Sequence, residues 1–151
     1  MTNAFKQKPK TKYMKPQTTK MLYWIFTCLF AALKIMDGIG GVTRQQAGIE
    51  VMLHLGYPIY AMVILGTAKF LGAFVVLQTK YTTIKEWAYA GFAFNLIGAF
   101  ASRAFMSDPI RWTVLPLIIL AFMFVPYFLW KKIENTRAVT GSAATLKIFA
   151  L

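Results

Sequence analysis

Four apolar blocks dominate the sequence, and each is about as long as a bilayer is thick. They cover residues 21–40, 58–77, 87–105 and 112–130. A helix rises about 1.5 Å per residue, so about 20 residues cross a hydrocarbon layer about 30 Å thick. The tryptophans lie near the block ends, where indoles settle among lipid headgroups: Trp24, Trp87, Trp112 and Trp130. We therefore expect an all-α fold, a bundle of four transmembrane helices over residues 21–130.

The charge of the chain fits a membrane protein better than a nucleic-acid-binding protein. Only 15% of its 151 residues are charged, and 17 Lys and Arg against 5 Asp and Glu give a net charge of +12. Such an excess would suggest nucleic acid in a soluble protein. Here the cations flank the apolar blocks, where they attract anionic lipid headgroups. We expect the lipid bilayer as partner, with anionic headgroups at the basic tails, and no nucleic acid.

The distribution of Lys and Arg predicts the orientation of the chain. With a cytoplasmic N-terminus, residues 1–20, 78–86 and 131–151 lie inside and hold most cations, including Lys80 and Lys85. This asymmetry predicts that both termini are cytoplasmic. Residues 1–20 form a basic disordered tail in this interpretation, and residues 131–151 form a cytoplasmic C-terminal tail.

Two features near the first block leave alternatives open. The block could be a secretory signal peptide, but Lys34 and Asp37 lie where a small-residue cleavage site would be expected. The segment 43–56, between the first two blocks, has apolar residues at helical spacing. It is either a short amphipathic helix at the outer membrane surface or a structured loop that caps the bundle.

Lys69 lies near the middle of the second block, where a lysine costs about 2.5–3.5 kcal/mol on insertion scales. Gly66 and Gly72 flank it on the same helix face, so another helix can approach closely there. The lysine should therefore point into the bundle. In the third block, small and polar residues repeat at helical spacing and form a complementary packing stripe: Gly91, Asn95, Gly98 and Ser102.

These residues predict a polar layer inside the bundle, with Glu50 above it. Its members are Lys34, Asp37, Lys69, Asn95 and Arg103. We expect Asp37 to reach Lys34 or Arg103 easily and Lys69 only with difficulty, since it lies about 10 Å from the midplane. The excess of cations favours an anionic or electron-rich ligand, such as a carboxylate, a thiolate or a quinone oxygen. Alternatively, Lys69 is neutral because burial lowers the pKa of an amine. In a third interpretation, the layer only holds the helices together and Arg103 extends to the outer headgroups.

Single copies of two residue types limit the cofactors. Cys28 is the only cysteine and His54 the only histidine, so one chain cannot form a disulfide, a bis-His haem site or a multi-His metal site. We expect no cofactor and no metal, and we assign no catalytic residue.

Two motifs resemble the DoxX-like family of small bacterial membrane proteins with four helices. The first is His54-Leu55-Gly56-Tyr57-Pro58, followed by the Gly66–Gly72 segment around Lys69. The second is Lys85-Glu86-Trp87, and the resemblance covers roughly residues 21–130. The family commonly has a histidine where this chain has Arg103, so a role that depends on that histidine does not carry over.

The resemblance implies a multi-pass protein of the bacterial inner membrane. It also implies an accessory or subunit, without a cofactor of its own, of a quinone- or thiol-linked redox process. Quinone contact, a membrane redox protein as partner and a homo-oligomer are compatible with this role, although no motif demands them. The alternatives are a small transporter of an anionic or neutral solute and a structural scaffold without catalysis.

Overall fold

The computed structural model describes the backbone of residues 16–149 and the side chains of residues 17–136 and 138. This part of the chain is all-α, as predicted. Its five helices are α1 (Pro16–Val42), α2 (Gln46–His54), α3 (Ile59–Leu77), α4 (Thr82–Phe105) and α5 (Ile110–Phe149). The predicted basic tail lies mostly outside the described residues.

The four long helices pack in a ring. α1 packs along α3, α3 against α4, α4 against α5 and α5 against α1, while α2 lies on α3. α1 and α3 are antiparallel, since Gly38 lies against Phe70 and Gly41 against Met62. Short connections make α3, α4 and α5 antiparallel in turn. α2 and the α4–α5 connection therefore lie at one end of the ring, which we call the α2 end. The α3–α4 connection lies at the opposite end.

The helices follow the apolar blocks, but most of their boundaries are shifted. α3 matches the second block closely, whereas α1 begins at Pro16 and α4 at Thr82, both ahead of the predicted blocks. α5 continues to Phe149, past the predicted boundary at residue 130. An apolar block marks the part of a helix suited to hydrocarbon, and the hydrogen-bonded backbone can continue beyond it.

Three helical segments are long and apolar enough to cross a membrane: Gln17–Val42, Ile59–Leu77 and Ile110–Thr136. Only 22–33% of the most apolar stretch of each segment is buried, so broad apolar faces point outward. The predicted fourth span falls in α4, which is long enough but carries Lys85, Glu86, Asn95 and Arg103. These polar residues lower its hydropathy below that of the other three.

The segment between α1 and α3 contains the predicted short helix, α2. Gly56 follows it with φ +76°, a left-handed conformation that glycine adopts without strain. Pro58 then precedes α3 in an extended conformation, with φ −70° and ψ 146°. The Gly-Tyr-Pro motif therefore forms the turn into α3.

An aromatic core fills the end of the ring opposite α2. Phe30 meets Phe92 edge-on, with ring centroids 5.3 Å apart, and Tyr89 stacks on Trp130 at 6.2 Å. Each such pair contributes about 0.5–1.5 kcal/mol beyond the burial of its area. This core joins α1, α4 and α5.

The placement of Lys85 in the loop 78–86 was wrong. It lies in the first turn of α4 and is only 1% exposed. Its ammonium donates to the Tyr23 hydroxyl at 2.5 Å and to the Gln78 carbonyl at 3.2 Å. It also lies within 5.3 Å of the ring centroids of Tyr23 and Trp130. Hydrogen bonds and aromatic faces thus compensate the charge that burial would otherwise penalise.

The two neighbours of Lys85 in its motif have other surroundings. Glu86 forms an ion pair with Lys131 of α5. Trp87 is 77% exposed. The motif therefore ties α4 to α1 and α5 and leaves an indole on the outer surface.

Candidate functional site

A cavity of about 350 Å³ lies between the helices toward the α2 end. We call it the charged cavity; its polar lining side chains are Lys34, Asp37, Gln45, Lys69, Asn95 and Arg103. Five of these six were assigned to the polar layer from the sequence. Glu50, the remaining predicted member, is exposed on α2 and does not line the cavity.

Asp37 connects α1 to α3 through Lys69. Its Oδ2 atom lies 3.0 Å from Nζ of Lys69 and 3.8 Å from Nζ of Lys34. The expectation that Asp37 reaches Lys69 only with difficulty is therefore wrong. Asp37 and Arg103 form no ion pair among the described residues.

Close contact between glycines of α1 and α3 explains the pairing. A Cβ added to Gly38 would lie 2.9 Å from the Gly66 carbonyl oxygen and 3.0 Å from the Phe70 nitrogen. In this register Asp37, one residue before Gly38, lies opposite Lys69, one residue before Phe70. Asp37 therefore lies level with the middle of α3, because α1 is displaced toward the end opposite α2.

Lys34 is the most deeply buried of the cations in the cavity lining, with 5% exposure. Its carboxylate partner in the described part of the chain is Asp37, at the long distance of 3.8 Å. The rings of Phe30 and Phe92 lie 5.7 and 6.0 Å from its ammonium. Lys34 and Lys69 thus share one carboxylate, which leaves one excess positive charge at the cavity wall.

Arg103 also lines the charged cavity, but its partner is Asp108, which follows α4. The guanidinium Nη1 donates to Oδ2 of Asp108 at 2.9 Å. His54 Nε2 lies 2.5 Å from the other carboxylate oxygen, Oδ1. The end of α2 is thereby tied to the α4–α5 connection.

A second contact strengthens this connection. The Tyr57 hydroxyl lies 2.7 Å from Oγ of Ser102, which also donates to the Gly98 carbonyl at 2.9 Å. The first family motif thus contributes both His54 and Tyr57 to contacts that close the α2 end.

Asp108 was not found by sequence reasoning, although the small number of acids offered a signal. The chain has five acidic residues, and four of them form ion pairs: Asp37, Glu86, Asp108 and Glu134. Where carboxylates are so scarce, each one near a helix end is a candidate partner for a half-buried cation.

The Asp108 contacts predict how stability depends on pH. The hydrogen bond from His54, followed by the nearby charges and the Arg103 hydrogen bond, holds the pKa of Asp108 below its usual range. A lowered pKa in the folded state stabilises the fold above the unfolded value of about 4, and this contribution disappears as pH falls through the folded pKa. We expect Asp108→Asn to lower the unfolding midpoint at neutral pH and to match the parent protein in acid. Thermal unfolding in detergent across this pH range tests it, and equal pH profiles would contradict it.

The predicted packing glycines behave differently on the two helices. Gly66 lies against the α1 backbone, and a Cβ on Gly72 would lie 2.9 Å from Cζ of Phe92. A Cβ on Gly91 or Gly98 would meet no described atom within 4 Å. Gly91 and Gly98 are therefore not packed against another described helix, contrary to the sequence-based expectation.

A second cavity lies beside Gly91 and Asn95, two of the four residues of the stripe. It has a volume of about 280 Å³ and lies between α3 and α4. Lys69 and Asn95 line both cavities, yet no hydrogen bond joins them in the part of the chain that the structure describes. The predicted bond between them is thus replaced by open space beside both side chains.

The described residues contain no cluster of three or more His, Cys, Asp or Glu side chains that could hold a metal ion. In the charged cavity, the groups that can donate hydrogen bonds to a ligand include the ammoniums of Lys34 and Lys69, the Arg103 guanidinium and the Asn95 amide. Together they can bind oxygen acceptors and compensate negative charge.

The chain was compared with known protein families, curated proteins and solved structures. The family model described as the DoxX-like family matches residues 25–125. No curated protein and no solved structure matches. The family match and the three long apolar helices indicate a membrane protein. Because the matched residues make up more than half of the chain, the chain belongs to the DoxX-like family.

Proposed function

We propose that this chain is a four-span protein of the bacterial inner membrane whose charged cavity binds an anionic or electron-rich group. The observation that carries the proposal is the sharing of one carboxylate, Asp37, by two ammoniums, Lys34 and Lys69. A buried cation whose carboxylate partner is distant and shared with another cation is costly. An acceptor group bound in the cavity would offset that cost.

The proposed fourth span is α4, and the exposure of its side chains supports this. Its polar residues Lys85 and Asn95 are buried or half-buried, whereas Trp87, Phe94 and Phe105 are 76–89% exposed. The helix thus presents an apolar surface outward and polar groups inward. With four spans and the observed bias of Lys and Arg, both termini are cytoplasmic.

Labelling of single cysteines tests this topology. In a Cys28→Ser background, Gln46→Cys places a thiol at the α2 end and Thr79→Cys places one at the opposite end; both positions are exposed. In intact cells, an impermeant maleimide should label Gln46→Cys, and it should label Thr79→Cys only after the membrane is opened. Labelling with the reverse pattern, or of both variants in intact cells, would contradict the topology.

Binding to the charged cavity is tested with purified protein in mild detergent and three probes: benzoate, glutathione and duroquinone. We expect at least one probe to raise the unfolding midpoint, since a ligand at 100 times its Kd stabilises by about 2.7 kcal/mol. Lys69→Met should remove this increase because the probe loses the ammonium between the two cavities. The variant should still fold, since Asp37 keeps Lys34 as a partner.

Lys80→Met is the matched control, because Lys80 is an exposed lysine in the α3–α4 connection. It should retain the full response to the probe. If no probe gives an increase that depends on Lys69, the cavity is not a binding site. The polar layer would then only connect the helices, as expected of a structural scaffold.

We propose that this binding takes part in a quinone- or thiol-linked redox process, which is the role that the family resemblance implies. Co-purification in mild detergent tests it, with the cavity variant Lys69→Met beside the parent protein. A membrane redox protein bound to the parent protein supports the role, and a homo-oligomer without any such partner contradicts it.

A further inference from the structure

The second cavity forms a cleft between α3 and α4, which we call the lateral cleft. The residues that line it are Leu65, Ala68, Lys69, Gly72, Trp87, Ala88, Gly91, Phe92 and Asn95. All except Lys69 and Asn95 are apolar, small or aromatic. The cleft is therefore suited to hydrocarbon along most of its wall and to a polar head at one place.

The lateral cleft reaches the outer surface of the ring. Ala68, Trp87 and Gly91 are exposed, and they belong to both helices that border the cleft. Gly91 has open space where a side chain would project. If α3 and α4 cross the bilayer, the surface at these residues is covered by acyl chains rather than water.

Three residues line both the lateral cleft and the charged cavity: Leu65, Lys69 and Asn95. The Lys69 side chain thus lies where the two cavities meet. A molecule whose chain occupies the cleft can place its head beside Lys69. On the far side of that position are Asp37 and the buried ammonium of Lys34.

We infer that the lateral cleft and the charged cavity together bind a long-chain carboxylate that arrives from the bilayer. The inference rests on the proposed function and names its ligand class. One excess positive charge beside Lys34 and Lys69 matches a head with one negative charge. The apolar cleft between α3 and α4 matches a single acyl chain, and a carboxylate gives Lys34 a second acceptor beside the distant, shared Asp37.

Brominated fatty acid provides the test, because bromine quenches tryptophan fluorescence at short range. The probe is dibrominated stearic acid, added to the full chain in nanodiscs in an alkaline buffer that keeps the carboxyl group ionised. We expect saturable quenching that unbrominated stearate reverses. Trp87→Phe should reduce the quenched fraction, since Trp87 lines the cleft.

Two substitutions on the same helix separate the cleft from the general lipid surface. Gly91→Phe fills the cleft, whereas Gly98→Phe adds the same ring at a position that lines neither cavity. Neither glycine has a described neighbour that a Cβ would meet within 4 Å, so both variants should fold. Gly91→Phe should raise the apparent Kd about ten-fold or more, while Gly98→Phe leaves it unchanged.

The outcomes distinguish this inference from the proposed function. Quenching that is not saturable, or that is equal in Gly91→Phe and Gly98→Phe, overturns the lateral cleft as a site. If the soluble probes still bind in a way that depends on Lys69, the proposed function stands without it. Equal binding of the methyl ester of the brominated acid would overturn the carboxylate as the recognised head.

Discussion

Replacing Gly66 by alanine is expected to push α1 and α3 apart and to destabilise the whole ring. An added Cβ would lie 2.9 Å from the carbonyl oxygen of Gly38 and 2.9 Å from two backbone atoms of Gly41. Backbone atoms cannot rotate away as the end of a side chain can. The expected loss is about 1–3 kcal/mol, despite the gain of about 1 kcal/mol in helix propensity when alanine replaces glycine. The unfolding midpoint in detergent and the abundance in membranes measure it.

Gly98→Ala is the matched control because it makes the same change on α4 without a close neighbour. It should be neutral or slightly stabilising. Gly66→Leu should reduce abundance further than Gly66→Ala, since a larger side chain forces a greater separation. The predicted contact between α1 and α3 would be incorrect if Gly66→Ala were as stable as Gly98→Ala.

Much of the architecture could be predicted because the bilayer imposes a length on apolar segments. The second block reproduces α3 almost to the residue, and segment 43–56 contains α2. The inward placement of Lys69 could also be predicted, because an unpaired ammonium in the hydrocarbon layer is energetically costly. Helix ends were predicted less well, because α1, α4 and α5 continue where residues are polar but the backbone remains hydrogen-bonded.

Helix register and specific partners could not be read from the sequence. The pairing of Asp37 with Lys69 depends on which glycines meet, and two helices can slide by a turn without changing their apolar pattern. Lys85 shows the same limit, because a lysine at a block end is expected in the headgroups. Its burial depends on the Tyr23 hydroxyl, which only the packed structure brings near.

Removing the charge of Asp37 is expected to destabilise the ring strongly, because two cations would lose their shared carboxylate. Lys34 and Lys69 are only 6% and 20% exposed at the side chain. Breaking a buried ion pair costs about 3–5 kcal/mol, and the value for Asp37→Asn should fall near the lower end because this carboxylate is half exposed. Thermal unfolding measures the loss. Glu50→Gln, which removes an exposed carboxylate from α2, should have little effect.

Double variants show which cation depends on Asp37. Lys69→Met in the Asp37→Asn background should restore much of the lost stability, since the uncompensated ammonium is gone. The coupling energy between Asp37 and Lys69 should be about 1–3 kcal/mol. Lys34→Met should show weaker coupling to Asp37, because that pair is separated by 3.8 Å rather than 3.0 Å. Stronger coupling to Lys34 would mean that Asp37 serves the buried ammonium first, and Lys69 would then be the cation left to receive a ligand.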